Sequence, residues 1–211
     1  MADAANKPAP PGRRRLQSQQ TRELIVASAG DLFLENGYLS TSIEAIASRA
    51  GVAIATIYNS VGNKPSLLSA VLDAAVAGPN APATVPEFMQ LRVAQTADVP
   101  GVIDVLADWF AEGMPRSQSV FAIISQAAAV DPAVANLRDE RAAARLAHYG
   151  LAAAAIRERG GLSNGMSDEE AAAAIFTLGH PDSYATLVTH LGWNLPRYRD
   201  WIHKALLSVL R

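Results

Sequence analysis

Cysteine is absent from this 211-residue chain. That absence excludes a disulfide framework and thiolate catalysis, and it fits a reducing cytoplasm. Aromatic residues make up 6% of the chain and charged residues 18%, with a net charge of −2. A protein that coats nucleic acid at large needs a broad basic surface, so that class is excluded. No apolar run reaches the roughly 20 residues of a membrane-spanning helix, and the first residues lack a signal-peptide pattern. Histidine is scarce. His148, His180, His190 and His203 form no H-E-x-x-H pair and no metal cluster. Asp200 and His203, three residues apart, read as a surface pair rather than as metal ligands. The loop with Gly160, Gly161 and Gly165 lacks the strand-then-helix context of a phosphate cradle. No Ser-His-Asp spacing emerges either. The chain therefore reads as a non-enzyme, without metal or organic cofactor.

Half of the residues are hydrophobic, led by alanine, and strand-like alternation is missing throughout. The fold class is all-α. Charge is unevenly placed. Residues 1–77 hold seven Lys/Arg against six Asp/Glu, whereas residues 78–211 hold eleven against fourteen. The basic excess sits at Arg13, Arg14, Arg15 and Arg22, behind an Ala/Pro-rich start. The reading is a disordered basic arm over 1–15, able to touch DNA phosphates or the minor groove.

The stretch Thr41–Lys64 organises the chain. Thr41 and Glu44 have the spacing of a capping box, and Ile43, Ile46, Ala47 and Ala50 recur on one helical face. Gly51 can end that helix in the left-handed region. Val52 and Ile57 anchor a second short helix, about 53–60. Two helices joined by a Gly-containing turn make a helix-turn-helix, whose second helix enters a DNA major groove. Ile54, Ala55, Thr56 and Asn59 lie on or near the face that would meet base edges. A helix over about 17–36, ended by Gly37 and buried through Ile25, Ala29, Leu32 and Phe33, would brace the pair, with Tyr38 folding back on it. Asn63 can cap a further helix with Lys64 and Pro65 in its first turn. A lysine there opposes the helix dipole, and a phosphate would relieve the conflict.

Between Arg22 and Val71, R-E-L-I-V-A-S-A-G-D-L-F-L-E-N-G-Y leads into T-S-I-E-A-I-A-S-R-A-G-V, then T-I-Y and N-K-P-S-L-L. This order resembles the N-terminal domain of the tetracycline-repressor (TetR) family of transcriptional regulators. The resemblance implies that Tyr58 and Lys64 contact the DNA backbone, and that Thr41 and Ala53 belong to the DNA-binding region with the residues above. Members commonly carry Ser at the position of Ala53, so the second helix here lacks its usual cap. The resemblance also implies an inducer enclosed between the DNA head and a dimer bundle, with Trp109, Phe110, Met114, Phe121, Tyr149 and Phe176 as candidate pocket residues.

Beyond Gly78–Pro86, a Pro-rich break, periodicity alone guides the reading. Helices are expected over about 86–97, 99–113, 118–129 and 132–159. The last carries Val134, Leu137, Leu146, Tyr149, Leu151 and Ile156 as core and Arg138, Arg141, Arg145, Arg157 and Arg159 on polar faces. Ser167 and Glu170 form a second capping box. Pro181 should break the helix begun there, which resumes to Gly192, and a final helix spans about 196–210. Its tail resembles the last two helices of some TetR-family regulators. Tyr184, Leu187, Val188, Leu191, Trp201 and Leu206 offer more apolar surface than one helix pair buries, which implies a two-fold four-helix bundle. The expected organisation is the arm over 1–15, a DNA-binding head over 16–77 and an effector-binding, dimerising domain over 78–211. The expected function is a cytoplasmic homodimeric repressor, released from a near-palindromic operator by a small apolar or amphipathic effector. The alternatives are a TetR-like dimeric DNA-binding protein without small-molecule control, and a non-regulatory helical protein or enzyme.

Overall fold

The computed structural model describes residues 11–78, 85–162 and 165–211. All regular structure among the described residues is helical. The helices are α1 (Pro11–Ser40), α2 (Ile43–Ala50), α3 (Ile54–Ser60), α4 (Lys64–Ala77), α5 (Val85–Ala94), α6 (Val99–Ala128), α7 (Pro132–Glu158), α8 (Asp168–Leu178), α9 (Pro181–Tyr184) and α10 (Leu195–Leu210). The chain divides into two compact units, Met1–Val71 and Leu72–Arg211. The division falls inside α4, not at the Pro-rich break, whose residues 79–84 lie outside the described residues. The reason is that Leu67, Leu68, Ala70 and Val71 are buried within the first unit, so its core reaches into α4.

In the first unit, α1 begins at Pro11 and so takes in Arg13, Arg14 and Arg15, where an unstructured arm was expected. Residues 1–10 of that arm lie outside the described residues. Arginine is a good helix former, and the run continues the helix without a breaker. Gly37 leaves the helical region at φ 76, as its position predicts, and Tyr38 folds back against Phe33 with ring centroids 5.6 Å apart. The α2 N-cap is Ser42, whose hydroxyl accepts from the Ala45 N–H. Thr41 is instead buried, its hydroxyl within 2.8 Å of the Gly37 carbonyl and 3.1 Å of the Leu32 carbonyl. It holds the end of α1, one residue ahead of the actual capping position. Gly51 closes α2 at φ 65, donating to Ala47 and Ser48 carbonyls.

In the second unit, α6, α7, α8 and α10 pack around one core that includes Val102, Ile103, Leu106, Phe110, Tyr149, Ile156, Ile175, Tyr198, Ile202 and Leu206. Full burial of each large side chain contributes roughly 1.5–3 kcal/mol. The two helices expected over 99–113 and 118–129 are one, α6, running through Pro115. Proline removes one helical donor and crowds the preceding turn. Beside it, Arg116 donates to the Glu112 carbonyl and Ser117 to the Gly113 carbonyl, each four residues back in the same helix. Both capping bonds of the Ser167–Glu170 box form. Pro181 breaks the chain as expected, with the His180 ring Nδ1 accepting from the Asp182 N–H. Residues Ala185–His190 then continue as a π-helical turn, where an ordinary helix was expected. Leu146 and Leu151, read as core of α7, are exposed.

Candidate nucleic-acid interface and effector site

The head presents α3, a seven-residue helix held by one buried side chain, Ile57. Around that anchor, Ala53, Ile54, Ala55, Tyr58 and Asn59 are exposed and Thr56 is half-buried. Ile54 and Tyr58 keep 41% and 54% of their surface, an unusual outlay of apolar area on so small a helix. Ala53 makes no side-chain cap, as its residue type requires. The helix end is steadied from elsewhere: Arg22 of α1 donates to the Ser60 carbonyl. Sequence reasoning counted Arg22 only as basic charge. A second brace joins α1 to α2, where Arg49 meets Glu35 through two hydrogen bonds of 2.8 and 2.7 Å.

Asn63 caps α4, accepting from the Ser66 N–H at 3.0 Å. Lys64, in the first turn, bends back over the Tyr38 ring, 4.2 Å from its centroid, with Nζ 3.4 Å from the Leu39 carbonyl. The ammonium is so held against the end of α1, on the first turn of α4. Of the expected DNA-binding residues, the structure gathers Ala53, Ile54, Ala55, Thr56, Tyr58 and Asn59 on α3, with Lys64 close behind. Thr41 leaves the set because its hydroxyl is spent inside the head. Arg14 and Arg15 are exposed on the first turns of α1.

The expected pocket residues converge in the second unit. Phe110 and Tyr149 meet edge to face at 5.9 Å, Tyr149 and Phe176 at 6.3 Å, and Phe176 and His180 at 5.7 Å. Phe110 and Met114 are buried in the core, and Trp109 and Phe176 pack against it half-buried. Gly179 makes the arrangement feasible, since a Cβ there would collide with the Phe110 ring. Burial pushes the Tyr149 hydroxyl up to about 12 despite the nearby Arg145 charge. Sequence reasoning set Arg145 on a polar face of α7. The structure lays its guanidinium over Phe176 at 4.4 Å and Phe121 at 5.2 Å. The signal was present: Arg145 lies four residues before Tyr149 and eleven before Ile156, on the buried stripe of α7.

Of the expected dimer residues, Tyr184 and Leu206 are buried in the unit's own core. Tyr184 meets Tyr198 edge to face, with ring centroids 5.1 Å apart. Leu187, Val188 and Trp201 are half-buried and Leu191 is 61% exposed, joined by the Trp193 ring 6.3 Å from Trp201. His203 pairs with Asp104 of α6 at 2.8 Å instead of with Asp200, in a network where Arg199 bridges Asp104 and Asp108. No group of three or more metal-ligating side chains occurs among the described residues.

The model of the bacterial regulatory proteins of the tetR family matches residues 25–71. No curated protein matches the chain. Among solved structures, NalD, the secondary repressor of the MexAB-OprM multidrug efflux pump in Pseudomonas aeruginosa, is similar, with a TM-score of 0.71 at 21% identity over 92% of this chain and 97% of that one. The SmeT–triclosan complex matches with a TM-score of 0.64 at 22% identity, covering 90% of each chain. The transcriptional regulator FadR from Bacillus subtilis, in complex with stearoyl-CoA, matches at 0.67 and 19% identity over 90% of this chain and 99% of that one. At these identities the likeness is one of fold, and it extends through the second unit. The helix-turn-helix head thus matches the model of the tetR-family regulatory proteins, and the chain as a whole shares the fold of these solved transcriptional regulators.

Proposed function

We propose that this protein is a homodimeric repressor that acts in the cytoplasm and leaves a near-palindromic operator when a small amphipathic effector enters the second unit. The observation that carries the DNA half is α3: a short helix with one buried anchor and five exposed residues, Ala53, Ile54, Ala55, Tyr58 and Asn59, on it or at its cap. Asn59 suits bidentate pairing with adenine, and Ala55 and Thr56 suit a thymine methyl. Lys64 and Tyr58 suit phosphates, which position without specifying. A second copy joined through Leu187, Val188, Leu191 and Trp201 would set two heads on half-sites about one turn, ~34–36 Å, or more apart.

The effector half is supported by the aromatic cluster of Phe110, Phe121, Tyr149 and Phe176. It is also supported by two fold relatives that hold small molecules, triclosan in SmeT and stearoyl-CoA in FadR. The route to the DNA is α4, which begins in the head and ends in the second unit. Its C-terminal half is gripped there. Arg116 of α6 donates to the Ala75 and Val76 carbonyls, and Arg141 of α7 donates twice to the Asp73 carboxylate. A ligand that shifts α6 or α7 therefore pulls on α4. A hundredfold loss of operator affinity needs about 2.7 kcal/mol of coupling, within the usual allosteric range. Titration of a selected operator duplex with and without ligand tests the reading. Release by a small molecule that also binds free protein is the expected result; unchanged operator affinity across a broad ligand panel would overturn the effector half.

A further inference from the structure

Arg145 makes no ion pair among the described residues. No carboxylate lies within ion-pair distance of it among the described residues, and its Nε is buried without a hydrogen-bond partner. Its guanidinium lies over the Phe121 and Phe176 rings, 5.2 and 4.4 Å from their centroids. Burial draws its affinity for the proton below the ordinary arginine range, although arginine stays charged throughout the physiological range. The one acid whose charge acts on it is Asp182, whose carboxylate lies 3.4 Å from His180 Nδ1 and is 91% exposed. His180 is held below the usual histidine range by burial and by the Arg145 charge, and its Nδ1 already accepts a backbone N–H. It supplies no negative charge. A second orphan lies in the same core: the Tyr198 hydroxyl, buried without a partner beside Tyr184.

Leaving a buried charge uncompensated is costly, and ring faces offset only part of that cost. The Phe121 and Phe176 rings give a planar, bidentate donor two apolar neighbours. That donor geometry matches a carboxylate. A single arginine with neutral histidine and tyrosine neighbours balances one negative charge, not the several of a nucleotide or a phosphorylated thioester.

We propose that Arg145 receives the carboxylate of an amphipathic monocarboxylic acid whose apolar body lies against Phe121 and Phe176. This rests on the effector reading above and narrows it from an amphipathic molecule to an anionic one. The bond is a charge-assisted pair from the guanidinium to the carboxylate, with no covalent step.

The test uses the full-length protein and a panel of straight-chain and aryl-alkyl carboxylic acids, each beside the neutral alcohol of the same skeleton. Binding is read by tryptophan fluorescence and calorimetry at pH 7.5. The wild type is expected to favour acid over alcohol by about tenfold to a hundredfold, the range of one charged hydrogen-bonding pair. Arg145→Gln should lower that ratio to near one while leaving alcohol binding in place, and Arg145→Lys should restore part of it. Melting temperatures of both variants report on folding, and alcohol binding by Arg145→Gln shows an intact site. If acids and alcohols bind equally, or if Arg145→Gln keeps the acid preference, the proposal is overturned and the effector reading stands. If neither acids nor alcohols bind, both fall.

Discussion

In the head, the side chains with something to offer a partner are exposed: Ile54, Tyr58 and Asn59 stand on a helix held by Ile57 alone. In the second unit they are buried or half-buried. Phe110, Tyr149 and Phe176 form a connected ring cluster, and the Arg145 guanidinium lies over the Phe176 ring. The contrast teaches how one chain divides two kinds of recognition. A DNA groove is large and must be met from outside, so the head holds α3 by a single buried side chain and leaves the others on its outer face exposed or half-buried. On the proposed effector reading a small ligand would be surrounded, which suits a second unit that holds aromatic rings and the Arg145 guanidinium beside its core.

The largest effect should come from breaking the inner cluster. Phe110→Ala removes a fully buried ring and should cost about 3–5 kcal/mol, read by urea unfolding. Gly179→Val should approach that loss, because its side chain would occupy the space of the same ring. Next comes association. Paired Asp substitutions at Leu187 and Leu191 should yield monomers by sedimentation at micromolar concentration and abolish operator binding, while the helical signal persists. An outward change of the head should be milder. Asn59→Ala should cost about 1–3 kcal/mol of discrimination at one base position. Lys64→Ala should weaken binding to all duplexes and reduce the salt slope by about one.

The smallest effect concerns the charge network of α6 and α10. Burial alone would raise the Asp104 carboxyl, but hydrogen bonds from Arg199 and His203 hold it below the ordinary carboxylate range. A depressed carboxyl adds stability above its unfolded value, about pH 4, and loses it as the pH falls through the folded value. Asp104 is partly exposed, so Asp104→Asn should cost under about 1 kcal/mol at pH 7 and flatten the acid limb of the stability curve. Urea midpoints between pH 7 and pH 3 would show it.

How much of this was legible in the sequence also differs between the units. In the head, Gly37, Gly51, Asn63 and Pro65 each act at the position their backbone chemistry predicts. Two readings missed there: Arg13–Arg15 join α1, and the α2 cap lies one residue on, since Thr41 and Ser42 can both cap and only the packing of Thr41 against α1 decides between them. In the second unit, helix limits around Asp131, Ser167 and Pro181 were readable from local caps. Pro115 misled, since α6 runs through it with the buried stripe on both sides, Phe110 and Met114 before it and Val120 and Ile124 after. Tyr184 and Leu206 misled as well. Apolar residues on one helix face look alike whether they meet the chain's own core or a second copy. Arg145 was hidden by its residue type, because charge alone suggested solvent.

The most direct measurement of the central claim is a selection of the full-length protein on random-sequence duplex DNA. The account predicts enrichment of a near-palindrome with two half-sites about one helical turn or more apart, and loss of preference at a base pair of each half-site with Asn59→Ala. Recovery of no sequence above the starting pool, with binding that depends on salt alone, would contradict it.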